Sequence, residues 1–236
     1  MNTLFQNKKI IVAGGSSGIG LAAATQFEEQ QAQVTVTGRN TDKLKAAAET
    51  GLLTAVIDSS DRETLDTFFK NHGPVDHLVI SLSGSKGIGN FEALSLQVLR
   101  EGFEEKYWPV LNTVQAALPF INKGGSITLV TAISATAQLP GTSGLAALNG
   151  ALEIMVPVWA KELTHIRINA VSPGVVDTSW WNFLPEQEKH ETFKQYAAQI
   201  PAGRVGKPGE IAHVILFLAA NEYMTGKVIG CDGGMS

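Results

Sequence analysis

The chain has 236 residues, of which 44% are hydrophobic and 17% charged, and this composition excludes a disordered chain, a collagen-like repeat and a coiled coil. Its 18 basic and 22 acidic residues give a formal net charge of −4, which does not favour nucleic acid or an anionic membrane as a partner. The length suits one globular domain, and we expect a single domain over residues 1–236.

Short apolar runs alternate along the chain with longer segments of helical period, a pattern typical of βαβ units. We therefore predict an α/β fold with one Rossmann-type, doubly wound, seven-stranded parallel sheet flanked by helices. The strands are expected at residues 9–13, 33–37, 53–57, 77–81, 126–130, 166–171 and 228–231. The helices are expected at residues 19–30, 41–49, 62–71, 96–122, 143–164 and 209–221.

Two of the predicted helices contain a proline, Pro109 and Pro157. Each proline removes a backbone donor, so we predict a local kink at both places. The connection over residues 176–188 is long for a compact fold, and loops of this length often act as lids. Its aromatic residues are Trp180, Trp181 and Phe183. The alternative is that these aromatic side chains simply pack against the rest of the protein.

A glycine-rich turn follows the first predicted strand and precedes the first predicted helix. Glycines in such a turn let backbone N–H groups approach a pyrophosphate at the helix N-terminus, where the helix dipole favours an anion. The residues expected to bind it are Gly14, Ser16, Ser17, Gly18, Ile19 and Gly20. The alternative, a turn that uses glycine only for its conformation, is less consistent with its place in a βαβ unit.

The end of the second predicted strand indicates which dinucleotide is bound. An acidic residue there would accept a hydrogen bond from the ribose 2′-hydroxyl of NAD, but this chain has Arg39 followed by Asn40. A guanidinium suits the 2′-phosphate of NADP, and the missing carboxylate removes the repulsion that would exclude it. We therefore predict NADP(H) as the cofactor, bound in part by Arg39 and Asn40.

The glycine motif, Asp58 after the third predicted strand, residues 169–178 and the C-terminal residues 226–234 together resemble the short-chain dehydrogenase/reductase family. The similarity runs essentially from end to end. In such proteins the residue at Asp58 contacts the adenine, with Ser59 beside it. The resemblance also implies that Pro173, Gly174, Val176 and Thr178 hold the nicotinamide end. Family members usually carry Asn-Asn-Ala-Gly after the fourth strand, whereas this chain has Ser81, Leu82 and Ser83, whose backbone we expect to border the ribose.

The chain departs from the family at the catalytic residues, which are usually a tyrosine, a lysine, a serine and an asparagine. Alignment on the neighbouring segments places the Tyr-x-x-x-Lys pair on Leu145 and Asn149. The serine falls at or beside Ala132, with Thr131 and Ser134 as nearby hydroxyls, and the asparagine falls on Lys106. Leucine has no proton to give, so standard tyrosine catalysis is not expected. The candidate catalytic residues are Lys106, Thr131 and Ser134.

Three interpretations of Lys106 remain open from the sequence. Its ammonium could polarise a carbonyl, it could occupy the space vacated at Asn149, or it could be a solvated lysine beside Glu104 and Glu105. Because Pro109 frees the carbonyl of Glu105, the same helix could instead present a backbone acceptor at its kink.

A literal Tyr-x-x-x-Lys pattern occurs at Tyr223 and Lys227. Because Lys227 opens the last predicted strand, the two side chains would not share a helix face, and we interpret the pattern as coincidental.

The leading functional hypothesis is an NADP(H)-dependent oxidoreductase with a non-standard active site, acting on a small carbonyl- or quinone-like substrate. The alternative is a weak or inactive NADPH-binding protein that acts through a partner when the cofactor orders the 176–188 loop. The resemblance implies a homodimer or homotetramer formed through residues 96–122, residues 143–164 and the segment around Cys231.

The single cysteine, Cys231, cannot form an intramolecular disulfide, and the five histidines have no zinc-ligand spacing, so we expect no metal. The first nine residues lack the apolar stretch of a signal peptide, and no run approaches the ~20 apolar residues that span a bilayer. We therefore expect a cytoplasmic protein without a membrane segment.

Overall fold

Seven parallel strands form one sheet in the computed structural model, which describes residues 4–236. The strands are β1 (Lys9–Ala13), β2 (Gln33–Gly38), β3 (Leu53–Val56), β4 (Val75–Ile80), β5 (Ile121–Val130), β6 (Arg167–Pro173) and β7 (Val228–Cys231). Their spatial order is β3-β2-β1-β4-β5-β6-β7, and every pair of neighbours is parallel. The predicted fold class is confirmed. Met1 to Thr3, the start of the segment examined for a signal peptide, lie outside the described residues.

Eight α-helices connect or follow these strands in the described part of the chain. They are α1 (Gly18–Glu29), α2 (Thr41–Ala48), α3 (Arg62–His72), α4 (Leu96–Gly102), α5 (Trp108–Ala117), α6 (Ser143–Glu162), α7 (Glu186–Gln199) and α8 (Pro208–Ala220). Helices α1 and α8 cover one face of the sheet, and α3, α5 and α6 contribute to the core on the other face. The chain reverses its direction of travel across the sheet between β1 and β4, so a crevice is expected at the carboxyl ends of these two strands.

The helix predicted over residues 96–122 is observed as a helical run that ends at Phe120, but it is irregular. A π-helical turn at Phe103–Tyr107 separates α4 from α5, and β5 already begins at Ile121. The turn ends just before Pro109, where the missing backbone donor prevents regular hydrogen bonding, so the predicted irregularity is confirmed. Helix α6, in contrast, continues through Pro157 as one element.

Two further expectations from the sequence were wrong. The loop expected to reach residue 188 ends earlier, because a 3₁₀ turn occupies Ser179–Phe183 and the unpredicted helix α7 begins at Glu186. Helix α7 is polar and has no fully buried residue, so its sequence carries little helical periodicity. By length and composition alone, α6 could cross a membrane, contrary to the expectation that no such run exists. In the fold, however, α6 packs beside β6 and buries Leu152 and Val156 in the core.

Candidate active site

A cavity of about 560 Å³ lies at the carboxyl ends of β1, β4, β5 and β6. The structure brings to it most of the predicted cofactor residues and all three predicted catalytic residues. The predicted residues that line it are Gly14, Ser17, Gly18, Ile19, Ser81, Leu82, Ser83, Pro173, Gly174, Val176, Thr178, Lys106, Thr131 and Ser134. Five segments distant in sequence therefore meet in one crevice, at the place that the reversal of strand order favours.

The glycine turn between β1 and α1 is packed too closely to accept side chains at Gly14 and Gly20. Gly14 has φ +75°, and a β-carbon on it would lie 2.6 Å from the Ser81 backbone oxygen. Gly20 packs equally closely, since a β-carbon there would lie 2.5 Å from the Gly14 oxygen. Ser17 is the N-cap of α1 but makes no side-chain capping hydrogen bond, and the first turn contains no acidic residue. The backbone N–H groups at this helix N-terminus are thus arranged to receive an anion such as a pyrophosphate.

The predicted adenosine-end residues lie along the same edge of the sheet, beyond the cavity lining. Arg39 is exposed directly after β2, and Asn40 caps α2 by accepting a hydrogen bond from the Lys43 N–H at 2.9 Å. Lys43 itself lines the cavity, although the sequence analysis did not select it. Two cations therefore stand at the end of β2, where a 2′-phosphate would need them. Ser16 lies beside Gly38, the last residue of β2.

Asp58 and Ser59 follow β3 at this edge, with Asp58 exposed and Ser59 buried. The Ser60 backbone N–H donates to Asp58 Oδ1 at 2.9 Å, and the Ser60 hydroxyl donates to the same oxygen at 2.7 Å. These bonds lower the pKa of Asp58, and the Arg39 guanidinium adds a smaller lowering. The carboxylate is consequently held ionised and oriented, with Oδ2 left for a ligand.

Lys106 is buried, with only 6% of its surface exposed, so the interpretation of a solvated lysine beside Glu104 and Glu105 was wrong. The π-helical turn directs its side chain inward, where Nζ donates to Asn149 Oδ1 at 2.8 Å and to the Thr131 backbone oxygen at 3.3 Å. Burial lowers the pKa of Lys106 to about 8, and the charge of Glu153 opposes part of this shift. The nitrogen therefore lies in the space that the sequence analysis described as vacated at Asn149.

Asn149 connects Lys106 to the hydroxyl of Ser134. Its Nδ2 donates to Ser134 Oγ at 3.2 Å and to the Leu145 backbone oxygen at 3.0 Å. Because Ser134 Oγ accepts this bond, its own proton remains available for a ligand in the cavity. Leu145 lines the cavity one helical turn before Asn149. The predicted positions of the family pair thus face the same cavity.

Glu153, which the sequence analysis missed, lies behind this network on α6. Its Oε1 accepts hydrogen bonds from Thr131 Oγ1 at 2.7 Å and from Ser172 Oγ at 2.8 Å. The Val171 backbone oxygen lies 3.1 Å from the Thr131 hydroxyl, so two protein acceptors share its single proton and none is left for the cavity. Glu153 follows Asn149 by four residues on the same helix, and this i,i+4 spacing was the signal that could have identified it.

The aromatic segment after β6 forms one wall of the cavity. Trp180 Nε1 donates to the Gly84 oxygen at 3.1 Å, across 96 residues of sequence, and Trp181 Nε1 donates to the Val176 oxygen at 3.0 Å. Phe183 of the 3₁₀ turn lines the same wall, and so does Tyr196 of the unpredicted helix α7. Both interpretations of this segment are partly supported, because its aromatic rings pack on one another and also cover the cavity.

The literal Tyr-x-x-x-Lys pattern lies outside this site. Tyr223 is fully exposed, and Lys227 lies immediately before β7 rather than on a helix. Neither residue lines the cavity. This placement is consistent with a coincidental pattern.

Comparison with known proteins gives an end-to-end match. A family model described as enoyl-(acyl carrier protein) reductase matches residues 13–236. The 3-oxoacyl-[acyl-carrier-protein] reductase FabG of Thermotoga maritima is 34% identical over 251 residues, which cover 98% of each chain. The FabG of Chlamydia muridarum is 32% identical and is covered completely, as is this chain.

Two solved structures of similar proteins contain NADPH. A small-chain dehydrogenase in complex with NADPH superposes with a TM-score of 0.87 at 30% identity, covering 98% of this chain and 99% of the other. The NADPH-bound short chain oxidoreductase of Pseudomonas aeruginosa PAO1, described as containing an atypical catalytic center, superposes with a TM-score of 0.90 at 29% identity, covering 98% of each chain.

Proposed function

The chain belongs to the short-chain dehydrogenase/reductase family, and we propose that it transfers hydride between NADPH and a small carbonyl- or quinone-like substrate with Lys106 in place of the usual tyrosine. It is an oxidoreductase, and its cofactor is NADP(H). The observation that carries the proposal is the buried Lys106 nitrogen, which lines the cavity and is hydrogen-bonded to Asn149.

The residues at the sheet edge fit the dinucleotide. Gly14 and Gly20 keep the turn free of side chains, the uncapped N-terminus of α1 would receive the pyrophosphate, and Arg39 with Lys43 would receive the 2′-phosphate. The other predicted binding residues border the same edge: Ser16, Asn40, Asp58 and Ser59 towards adenosine, and Pro173, Gly174, Val176 and Thr178 towards nicotinamide. When bound, the cofactor supplies the hydride.

In this proposal Lys106 is the proton donor. A carbonyl that accepts hydride needs a proton on its oxygen, and a positioned general acid is most effective when its pKa is near the working pH. Burial brings the pKa of Lys106 to about 8, whereas a phenol at position 145 is absent because Leu145 stands there. The hydrogen bond from Nζ to Asn149 holds the ammonium at the edge of the cavity, beside a bound substrate.

Ser134 and Thr131 have different proposed roles. The Ser134 hydroxyl accepts from Asn149 and can donate to a substrate oxygen, so it orients the carbonyl. The Thr131 hydroxyl is engaged by Glu153 and Val171, so Thr131 acts through its backbone oxygen, which positions Lys106. Thr131 is therefore a positioning residue rather than an acid.

The loss of the standard catalytic residues is part of the proposal. We take Leu145, Asn149, Ala132 and Lys106 to stand at the four family positions, as the sequence predicts, and all four line one cavity in this chain. In this proposal the lysine and the asparagine of the family have changed places, and the lysine at position 106 donates to the asparagine at position 149. The Pseudomonas relative with an atypical catalytic center supports the idea that the fold tolerates such changes.

The cavity walls favour an apolar substrate of modest size. Its substrate end is lined by Ile88, Ile133, Leu145, Trp180 and Phe183, which leave few polar partners besides Lys106 and Ser134. A small carbonyl or quinone with an apolar body fits this arrangement, because its body can be buried while its oxygen meets the two polar groups.

We also propose that the whole chain is one NADP(H)-binding domain, which the single continuous sheet supports, and that it forms a homodimer or homotetramer. Trp108 on α5 and Ile154 and Val158 on α6 are large apolar residues left exposed on the helices expected at the interface. A monomer by light scattering at micromolar concentration would contradict this assembly. The cytoplasmic location stays a prediction.

The test uses excess protein with NADPH and a panel of quinones, diketones and aldehydes, with cofactor fluorescence recorded in the same cuvette. Protein-dependent loss of bound NADPH with at least one acceptor is expected, slowed in Lys106→Met and unchanged in Lys161→Met, an exposed lysine on α6. NADPH binding without accelerated oxidation across the panel would instead favour the binding protein that acts through a partner.

A further inference from the structure

Lys106 is the only buried lysine among residues 4–236, and its nitrogen makes contacts suited to an uncharged amine. The partners found for Nζ are both neutral oxygens, Asn149 Oδ1 and the Thr131 backbone oxygen. None of the ion pairs between described residues includes Lys106. The nearest carboxylate of the network, Glu153, is instead engaged by two hydroxyls.

The hydrogen-bond donors and acceptors at Lys106 Nζ match the neutral form of the amine. A neutral lysine amine has two N–H donors and one lone pair, whereas an ammonium has three N–H donors and no lone pair. Two protein acceptors therefore satisfy both donors of the neutral form. The remaining position on the nitrogen, a lone pair in the neutral form or a third N–H in the ammonium, has no partner in the described protein. The cavity that Lys106 lines is the space left for a partner. In the neutral form, that position is a nucleophilic lone pair.

We propose that Lys106 is a carbonyl-reactive amine that captures aldehydes and unhindered ketones in the cavity as a Schiff base. The lone pair of Nζ attacks the carbonyl carbon, and a carbinolamine forms. The carbinolamine hydroxyl takes a proton from solvent and leaves as water, and a protonated C=N bond remains. Overall, the neutral amine, the carbonyl and one solvent proton give an iminium ion and water, so the step needs no oxidant or reductant.

The electrostatic surroundings support this reactivity. Burial lowers the pKa of Lys106 to about 8, and Glu153 on α6 is the charged group that opposes it. On the π-helical turn itself, Glu104 is exposed, and the Glu105 carboxylate accepts from the N–H groups of Ser85 and Lys86 in the facing loop. At pH 7 about one tenth of such an amine is neutral, roughly 300-fold more than for a lysine of ordinary pKa.

The remaining walls are compatible with a bound carbonyl compound. Leu145 and Ile133 line the cavity with Lys106, so water is partly excluded from the reacting nitrogen. Exclusion of water favours the imine, whose hydrolysis needs water. This proposal goes beyond the proposed function, because it uses the neutral form of the nitrogen, whereas proton donation uses the charged form.

The experiment is reductive trapping on the full chain without NADPH. The protein is incubated at pH 7 with butanal or benzaldehyde and sodium cyanoborohydride, and the modified lysines are located by peptide mass spectrometry. We expect Lys106 to be modified about 100-fold faster than the exposed Lys45 and Lys161. Lys106→Met should remove this fast modification and leave the slow ones unchanged.

Two further variants keep Lys106 and change only its surroundings, so the test does not depend on removing the lysine. Asn149→Asp places a carboxylate against Nζ, raises the pKa of Lys106 and should slow its modification at pH 7 at least tenfold. Glu153→Gln removes the opposing charge and should speed it. Circular dichroism and the thermal midpoint establish that each variant folds.

The proposal is overturned if Lys106 in the folded wild-type protein is modified no faster than the exposed lysines. It is also overturned if neither Asn149→Asp nor Glu153→Gln changes the rate. Because no cofactor is present, these outcomes are distinct from a failure of the proposed oxidoreductase function. Hydride transfer without trapping would support the oxidoreductase function and overturn the reactive amine. Trapping without hydride transfer would support the reactive amine and contradict the oxidoreductase function.

Discussion

Lys106 Nζ donates to Asn149 Oδ1 at 2.8 Å, so one hydrogen bond joins the π-helical turn before α5 to helix α6. The bond joins residues 43 positions apart, and Asn149 also donates a hydrogen bond to Ser134.

The buried charge makes stability depend on pH. The pKa of Lys106 is about 8 in the folded chain against 10.5 for an ordinary lysine, so between these values the unfolded chain binds more protons. Stability conferred at this position must therefore rise with pH, by about 1 kcal/mol per unit between pH 8.5 and 9.5. Urea unfolding of wild type and Lys106→Met at both pH values measures the difference. Lys161→Met is the control, and a difference that stays constant with pH would contradict the buried charge.

Glu153 is expected to set the pH range of activity. Its charge raises the pKa of Lys106, so Glu153→Gln should lower that pKa further and move the loss of turnover at high pH towards neutrality. The pH profile of NADPH oxidation measures this shift. Glu162→Gln changes an exposed carboxylate on the same helix and should leave the profile in place. Equal shifts in both variants would indicate an unspecific charge effect.

Arg39 and Lys43 are expected to select the phosphorylated cofactor. A charged hydrogen bond contributes about 1.5–3 kcal/mol, so Arg39→Ala should weaken NADPH binding roughly 10- to 100-fold and leave NADH binding nearly unchanged. Lys43→Ala should act in the same direction with a smaller effect, because a single ammonium lacks the guanidinium fork. Fluorescence titration with both cofactors gives the ratio, and Lys45→Ala is the matched control. Unchanged NADPH affinity in Arg39→Ala would show that Arg39 does not bind the 2′-phosphate.

Gly14 is expected to tolerate no side chain. Gly14→Ala would place a β-carbon 2.6 Å from the Ser81 oxygen at a residue with φ +75°, so the turn must move. We expect a loss of roughly 1–3 kcal/mol in unfolding free energy together with weaker NADPH binding. Gly73→Ala also has a positive φ but no neighbour within 4 Å, so it separates conformational strain from collision. Equal losses in both variants would show that the close approach contributes nothing.

The sheet and the glycine turn could be predicted because both have local causes. Strand β1 buries every residue after Lys9, so its sequence is a short continuous apolar run, as in other parallel strands buried on both faces. Two of the glycines then follow from close backbone approaches, of Gly14 to Ser81 and of Gly20 to Gly14. By contrast, α7 buries none of its residues completely, and no apolar period marks it.

The position of Lys106 could not be predicted from the sequence for a different reason. It follows two glutamates, and such a run is typical of a solvated helix face. The π-helical turn inserts one residue per turn and rotates Lys106 inward, and no periodicity of the neighbouring residues indicates this rotation. Glu153 differs, because its spacing from Asn149 places both on one helix face. Its hydroxyl partners, however, are Thr131 directly after β5 and Ser172 on β6, and only the tertiary structure brings them to Glu153.

The most direct test of Lys106 as proton donor is the single-turnover rate of NADPH oxidation, measured against pH with excess protein and the best acceptor of the panel. The proton donor must be protonated, so we predict that the wild-type rate falls as the pH rises through about 8, the pKa of Lys106. In Lys106→Met the rate should be ~10²–10⁴-fold lower and should lack this fall. An unchanged rate and an unchanged pH profile in Lys106→Met would contradict the account.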